Sequence, residues 1–386
     1  MTRNLWMLIA LFASVFFPLH VLPPILSDAE FLWGAGNDLR QLVGLSYHVG
    51  FIAGAAAMLA CGSRLSVLWQ EASRRRAVLA LMAAATLTLV PHPTAQILGR
   101  FSYGAGASFL LALFYREVAW SRRYDWLPKV FGYAAMLLET GGLIVGLVVA
   151  RVGSAVGVMT ATGLTVGALL IGGCSGRSAN GLAGKQLNID DGNDIDRSAH
   201  PRLSLSGSWV YMVTAMLAYA GFFLMLLTLG GLQGLENGPE TSGLAIFSTA
   251  FAFSAGNLVR FERWPLLAHP VRLVMLGVAL SLGGSLFLWS SILATSSIGI
   301  VVGAILVASG NGITVSRCFQ RASISSHDGY SGPLITMTGV MVFTAGLSVA
   351  GHWLGGSTPM VQCLAFAAAL ATLLFGGHHA NRRAHL

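Results

Sequence analysis

Four side chains that can hold or move a proton interrupt the apolar first half of this sequence: His20, His48, Arg100 and Glu139. An arginine at bilayer depth costs roughly 2.5–3.5 kcal/mol, so its presence needs a reason. Glu139 would lower that cost as a paired carboxylate, and its protonation would release Arg100 to bind something else. We therefore predict that these residues couple protons or bind a substrate. A purely structural Arg100–Glu139 pair and hydrogen-bonded structural histidines are the alternatives.

The composition indicates that lipid surrounds these residues. Of the 386 residues, 55% are hydrophobic and only 10% are charged, whereas soluble domains carry about 25% charged residues. The mean hydropathy is +0.70, and the 47 glycines suit helices that pack closely in a membrane. A net charge of +8 does not indicate a nucleic-acid partner, because the basic residues are dispersed through short loops. We predict a membrane protein in contact with lipid.

Apolar windows of the length that crosses a bilayer, about 20 residues, follow one another along the chain. There are twelve: 5–27, 41–62, 77–92, 94–115, 129–150, 154–174, 207–231, 241–259, 272–291, 294–316, 331–353 and 357–377. A long polar stretch rich in Gly, Ser, Asn and Asp follows the sixth window, as is typical of a linker. The predicted fold is therefore an all-α membrane protein with twelve transmembrane helices in two six-helix bundles. Its parts are an N-terminal bundle (1–174), a cytoplasmic linker (175–206) and a C-terminal bundle (207–386).

The basic residues predict how the chain is oriented. With the N-terminus inside, all but three of the 23 Lys and Arg residues fall on the cytoplasmic side; the exceptions are Arg40, Arg100 and Arg151. Basic residues stay on that side of a membrane, so both termini are predicted to be cytoplasmic. Short loops and the dominance of Arg over Lys favour a bacterial inner membrane. The first apolar run has no small-residue cleavage site and is interpreted as a span.

Softer polar residues are the candidates for lining a cavity between helices. They are Tyr47, Tyr211, Tyr219, Asn257, Asn311 and Thr336. Pro18, Pro23 and Pro24 are predicted to bend the first span and to free backbone carbonyls near its outer end. The sequence has no P-loop, no Ser-His-Asp elbow, no His-Glu-x-x-His and no Cys-x-x-Cys pair. We therefore predict no catalytic residues, no metal, no cofactor and no enzymatic activity.

Three stretches resemble the major facilitator superfamily, and the likeness in layout covers essentially the whole chain. GRFSYGAGAS, with Gly104 and Gly106, resembles the family's fourth-helix pattern of Arg, three residues and Gly-x-Gly. Glycines of the fifth window resemble the pattern associated with proton-driven antiporters, although its proline is missing. These are Gly132, Gly141, Gly142 and Gly146. ACGSRLSVLWQEASRRR stands where the family has a basic loop, with Ser66 in place of its Asp. Gly310-Asn-Gly312 echoes the Gly-x-Gly of the fourth window.

The resemblance implies a secondary transporter that moves a small organic solute by alternating access. Protons are the implied coupling ion, the two bundles face each other, and the protein is predicted to be a monomer. The fifth-helix pattern implies export by antiport. Proton-coupled uptake of an organic anion is the alternative if Glu139 faces away from Arg100. A transporter-like receptor or scaffold stays open as well, and it would have a packed centre instead of a cavity lined by both halves.

Overall fold

The structure, a computed structural model, describes residues 3–20, 37–61, 71–90, 92–174, 209–231, 238–259, 264, 270–326, 328–354 and 358–383. These residues form twelve α-helices and one short 3-10 helix, Tyr124–Trp126. The α-helices are α1 (Arg3–His20), α2 (Asn37–Cys61), α3 (Glu71–Leu87), α4 (Pro93–Trp120), α5 (Leu127–Val152), α6 (Ser154–Cys174), α7 (Trp209–Gly231), α8 (Gly238–Leu258), α9 (Pro270–Leu293), α10 (Ser297–Ser325), α11 (Ser331–Leu354) and α12 (Thr358–Arg383). The all-helical prediction is confirmed, and the predicted linker 175–206 lies outside the described residues.

Among the described residues, eight segments are long and apolar enough to cross a membrane. They are Leu42–Cys61, Pro93–Ala119, Tyr124–Val152, Ala155–Gly173, Trp209–Leu226, Pro270–Leu293, Ser297–Ser325 and Thr358–Gly376. Helices α1, α8 and α11 contain shorter apolar stretches. Helix α3 has Arg74, Arg75 and Arg76 near its start, which lowers its mean hydropathy. The number of twelve crossings and the cytoplasmic termini stay predictions.

Helix ends differ from the predicted windows where polar residues continue a helix beyond its apolar part. Helix α10 runs to Ser325, whereas the sequence predicted an end at residue 316. Arg317 and Arg321 therefore lie within a helix and not in a cytoplasmic loop. The helix can continue there because its backbone hydrogen bonds do not depend on apolar side chains.

Helices α4 and α10 are the most buried of the eight candidate spans. For each of them, 67% of the apolar window is buried inside the protein. Helix α4 contacts α1, α2 and α3, and α10 contacts α7, α8 and α9. Both begin with a side-chain cap, which satisfies a free N–H of the first turn: His92 Nδ1 accepts from Thr94 N at 3.3 Å, and Ser296 Oγ accepts from Gly299 N at 3.2 Å. Residues on α4 and α10 are thus the best placed to face other helices.

One glycine on each of these helices allows a very close approach to a neighbouring backbone. A Cβ on Gly104 would overlap the carbonyl of Tyr47 in α2. A Cβ on Gly312 would likewise overlap the carbonyl of Phe253 in α8. Helices α2 and α8 are each the second helix of their set of six, so these two glycines have the same packing role.

The other glycine of each Gly-x-Gly, Gly106 or Gly310, shows that the order of the contacts differs between the two halves. A Cβ on Gly106 would meet α3, and a Cβ on Gly310 would meet α9. In α4 the first glycine of the Gly-x-Gly faces the second helix of its half, whereas in α10 the second glycine does so. The structural counterpart of Gly104 is therefore Gly312, and the match to Gly310 suggested by the sequence pattern is corrected.

The first six helices meet the last six along several contacts, and α5–α8 and α2–α11 are the largest. At the end where α4 stops and α5 starts, Phe319 of α10 stacks on Tyr115 of α4, with ring centroids 6.0 Å apart. It also packs on Phe131 of α5 at 5.6 Å. Ser254 Oγ of α8 donates to Gly132 O of α5 at 2.9 Å. We call this the inner end, which the basic residues predict to be cytoplasmic, and there the two halves are in direct contact.

Candidate functional site

Asn311 lies near the middle of α10, between two residues whose surroundings include the first six helices. Ala308, one turn earlier, belongs to a cluster against which Ala135 of α5 packs, and Phe319, two turns later, stacks on Tyr115 of α4. The Asn311 side chain is fully buried, and neither its amide nitrogen nor its oxygen has a hydrogen-bond partner. A buried amide with both groups unsatisfied is a candidate for binding a ligand or water.

Glu139 faces the interface between the halves. It is half-buried and lies one turn after Ala135 on α5, on the same helix face. An electrostatic interaction links Glu139 with Tyr219 of α7, and a second one links Tyr219 with Tyr115 of α4. The Tyr115 hydroxyl is buried without a hydrogen-bond partner. One carboxylate and two phenols from α5, α7 and α4 thus interact across the interface between the halves.

The remaining cavity candidates divide between the inner end and packed interiors. Tyr211 interacts electrostatically with Arg321 and Cys318 near the inner end. Asn257 is 1% exposed; its amide nitrogen donates to Phe253 O at 2.9 Å, and its oxygen has no partner. The Thr336 hydroxyl is buried and donates within its own helix, α11. Of these three residues, only Asn257 has a buried polar atom left for a ligand.

Arg100 lies away from that interface, among helices of the first half. Its side chain is 6% exposed, and Nη1 donates to Pro18 O of α1 at 3.5 Å. Nε is buried without a partner. A cavity beside it is lined by α1, α3, α4 and α6. Within the described residues, Pro18, and not Glu139, is the hydrogen-bond partner of Arg100, so the structure does not bring the predicted pair together.

Two buried tyrosines donate hydrogen bonds to carbonyls of α1 near Pro18. Proline has no N–H, so Pro18 leaves the carbonyl of Ser14 without its helical donor. The Tyr103 hydroxyl of α4 donates to that carbonyl at 2.7 Å. The Tyr47 hydroxyl of α2 donates to the next carbonyl, Val15 O. The expectation that Pro18 frees a carbonyl is met, and Tyr47 packs against α1 instead of lining a cavity.

Of the two predicted histidines, only the side chain of His48 is described by the structure. His48 is half-buried; its Nδ1 lies 3.2 Å from Gly44 O of its own helix, and its ring meets Tyr47 edge-on. His20 is the last residue of α1, and its side chain lies outside the described residues. Within the residues that the structure describes, no three His, Cys, Asp or Glu side chains are grouped as a metal would need.

The glycines of α5 serve close packing in two directions. A Cβ on Gly132 would lie 2.8 Å from Leu258 Cγ of α8, so this glycine allows contact between the halves. A Cβ on Gly141 would overlap the Phe17 ring of α1. Gly142 and Gly146 are half-buried on the same helix. The glycines of the fifth window therefore hold α5 against both α1 and α8.

Sequence reasoning missed Arg317, which is 4% exposed. Its guanidinium donates to Gly256 O and Val259 O, both at 3.2 Å, and to Ser316 Oγ at 3.3 Å. These carbonyls lie at the end of α8, where a helix leaves its last acceptors without donors. The signal in the sequence was an Arg five residues after Gly312 in an apolar helix, but the residue was assigned to a loop.

No protein-family model and no curated protein sequence matches this chain. Solved structures match its fold over nearly the whole length. An outward-facing crystal structure of the major facilitator superfamily transporter FucP has a TM-score of 0.66 and 17% identity, covering 95% of this chain and 98% of that one. A crystal structure of a variant of the E. coli fucose:proton symporter, FucP, has a TM-score of 0.65 and 16% identity, covering 96% and 97%.

A third structure, the POT family transporter PepTSo, has a TM-score of 0.62 and 12% identity, covering 99% of this chain and 98% of that one. At such low identity the likeness is one of fold. It agrees with the apolar helices and with the six-and-six contacts. This chain is a multi-pass, all-helical membrane protein with the fold of major facilitator superfamily transporters and a sequence that diverges from them.

Proposed function

We propose that this chain is a proton-coupled secondary transporter that moves a small polar organic solute by alternating access. It crosses the bacterial inner membrane twelve times as a monomer, with both termini in the cytoplasm. The observation that carries the proposal is the position of Glu139, a half-buried carboxylate on the interface between the halves. Its electrostatic partner Tyr219 belongs to the opposite half.

A carboxylate in this position makes the rocking of the halves depend on protons. When the halves close over an ionised Glu139, its charge loses water, and that loss costs several kcal/mol in a low-dielectric site. Protonation removes the charge and therefore this penalty. The closed, solute-loaded arrangement is thus favoured with Glu139 protonated, and release of the proton on the other side resets the cycle.

Asn311 supports a polar solute as the cargo. A buried amide that lacks both partners is costly, at about 1–3 kcal/mol for each unsatisfied group. A solute hydroxyl can accept from the amide nitrogen of Asn311 and donate to its amide oxygen, so that one group satisfies both. Such groups bind neutral hydroxylated molecules well. One of the similar structures is a fucose:proton symporter, which is in line with that solute class.

We favour symport, in which the solute and the proton cross the membrane in the same direction, over antiport. The expectation of export by antiport came from the glycine pattern of α5, which here serves packing against α1 and α8. Antiport and efflux find no support among the similar structures. Uptake of an organic anion by Arg100 is also disfavoured, because the cavity beside that residue has a volume of about 30 Å³, far below the 300–1,000 Å³ of pockets for organic ligands.

The test is proton movement in proteoliposomes that contain the purified protein. An outward pH gradient is imposed across the liposome membrane. A panel of neutral sugars and polyols, organic anions and organic cations is then added, one solute at a time. We expect one neutral polar solute to dissipate the gradient for the native protein. Glu139→Gln should bind or exchange this solute without proton movement, because glutamine cannot release a proton.

Glu117→Gln is the matched control, since Glu117 is also a half-buried carboxylate and interacts with Arg116 of its own helix. It should keep coupled flux. If solute flux occurs without protons in the native protein, the coupling role of Glu139 is wrong. If folded protein moves no solute of any class, the receptor or scaffold alternative is favoured instead.

Asn311 can be tested separately from coupling. Asn311→Ala should raise the solute concentration for half-maximal flux by roughly 10-fold or more, because one lost hydrogen bond to an uncharged partner is worth about 0.5–1.5 kcal/mol and two are lost. Asn311→Ala should still carry protons with every solute molecule that it moves. Unchanged half-saturation would remove Asn311 from the solute site.

A further inference from the structure

A small cavity inside the first half adjoins Arg100. Its volume is about 30 Å³, and a water molecule occupies roughly 10–15 Å³ on this scale. The cavity therefore holds two or three waters or a single small ion. Pro18, Gln96, Arg100 and Thr162 are among the residues that line it.

Within the described part of the chain, no carboxylate compensates the charge beside this cavity. The Arg100 side chain is 6% exposed, its Nε has no hydrogen-bond partner, and its bond to Pro18 O at 3.5 Å is longer than the usual 2.7–3.2 Å. None of the described residues that line the cavity is an Asp or a Glu. A buried cation in this setting calls for an anion, because an isolated buried charge is strongly unfavourable.

Most hydrogen-bond donors around the cavity already have an acceptor within the protein. The hydroxyls of Thr88 and Thr165 donate to carbonyls of their own helices, and the Tyr103 hydroxyl donates to Ser14 O. Gln96 Nε2 donates to Thr88 O and Val90 O.

Among the described lining residues, the donors that remain for a ligand are then on Arg100 and Thr162. A guanidinium N–H and a hydroxyl are donors that bind a small anion well. Water could accept the same bonds but would leave the positive charge unbalanced.

We propose that this cavity binds a small inorganic monovalent anion of the size of chloride, with Arg100 as its counter-ion. The anion is a resident of the first half and not the transported solute, since the cavity lies away from Asn311 and Glu139. The bound anion explains how an arginine is tolerated at this depth when none of the described cavity residues is a carboxylate. The proposal does not depend on the transport cycle proposed above.

The first experiment measures thermal unfolding of the detergent-purified protein at constant ionic strength, with chloride replaced stepwise by gluconate. We expect chloride to raise the midpoint temperature of unfolding by a few degrees, and bromide used in its place should do the same. Each effect should saturate with halide concentration, as for a ligand that binds only the folded state. Gluconate is too large for the cavity and should have no such effect. A response that grows without saturation is a general salt effect and would overturn the proposal.

Arg100→Gln removes the charge and keeps a side chain of similar reach. It should abolish the saturable halide response, whereas Arg151→Gln, at an exposed arginine near the end of α5, should keep it. A full response in Arg100→Gln would overturn the proposal.

Crystals of the native protein soaked in bromide give a test that needs no variant. An anomalous peak within hydrogen-bond distance of Arg100 Nε is expected. Density for water alone at that place would show that the cavity is only hydrated, and the proposal would then be wrong.

Discussion

The two deeply buried arginines of this protein, Arg100 on α4 and Arg317 on α10, differ in how their charges are satisfied. Arg317 donates to two carbonyls and one hydroxyl at 3.2–3.3 Å. Arg100 has one long bond to Pro18 O and a buried Nε without a partner. Equal burial therefore says little about role. The number of acceptors that a fold brings to a guanidinium separates a structural arginine from one that is available for a ligand.

The difference has a simple origin in the helices that each arginine meets. Arg317 lies beside the end of α8, where the carbonyl of Gly256 has no helical donor and Val259 follows the last turn. Arg100 lies beside a proline kink whose freed carbonyl, on Ser14, is already taken by Tyr103. Arg317 thus donates to free carbonyls at the end of α8. Arg100 lies where Tyr103 already donates to the carbonyl that Pro18 frees.

Replacement of Arg317 should have the largest effect. Arg317→Met fills similar volume but leaves two carbonyls without donors, and each bond to a charged group is worth about 1.5–3 kcal/mol. We expect a loss of several kcal/mol, measured as a fall in the midpoint temperature and in monodisperse protein after purification. Arg317→Lys should lose less, because an ammonium reaches one acceptor. A stable Arg317→Met protein would remove the contrast between the two arginines.

The glycine contacts should give the next largest effect, and an equal one on the two helices. Gly104→Ala and Gly312→Ala each place a methyl group against a neighbouring carbonyl, and such overpacking costs about 1–3 kcal/mol. Gly44→Ala, with open space around its Cβ position, should change stability little. Thermal unfolding of the three variants checks the order. If Gly310→Ala mimicked Gly104→Ala and Gly312→Ala did not, the assigned correspondence would be wrong.

Removal of the Tyr103 hydroxyl should have a smaller effect. Tyr103→Phe removes the hydrogen bond to the Ser14 carbonyl, and such a bond is worth about 0.5–1.5 kcal/mol. Pro18→Ala restores the N–H that this carbonyl lacks, so Tyr103→Phe should cost less in a Pro18→Ala background. The four proteins form a double-mutant cycle in thermal unfolding. Additive effects would mean that the tyrosine does not act through the kink.

Arg100→Met should have the smallest effect in a halide-free buffer, where it should leave stability unchanged or raise it. The substitution removes a buried charge that lacks a carboxylate, and loss of such a charge relieves its desolvation. Thermal unfolding in gluconate measures this. A fall as large as that of Arg317→Met would show that the Pro18 contact is structural and that the two arginines are alike.

Much of the helical layout could be predicted from the sequence, because in lipid an apolar run of sufficient length leaves its backbone few choices besides a helix. Helix ends were less predictable. Arg317 was placed in a loop since charge is a good sign of a membrane boundary, but here carbonyls of α8 satisfy that charge inside a helix. No local pattern in α10 records where α8 ends.

The residues of the candidate site could be chosen from the sequence by type, whereas their partners could not. Glu139, Tyr219 and Asn311 could be chosen because polar groups are rare in such helices. The structure does not pair Glu139 with Arg100 as predicted. The position of a residue along a helix fixes its depth in the membrane but not the direction in which its side chain points. Arg100 faces α1, whereas the interactions of Glu139 extend to α7. Rotation about the helix axis depends on packing, which the sequence of one chain does not state.

The reversed order of the two Gly-x-Gly stretches affects how an ancient duplication would be sought in this chain. An alignment that threads Gly104 onto Gly310 is displaced by two residues from the pairing that the contacts support. Two residues are about 200° of rotation at 3.6 residues per turn, so every neighbour would be compared with a residue on nearly the opposite side of the helix. Any ancestry shared by the two halves would then be hidden by the very motif that suggests it.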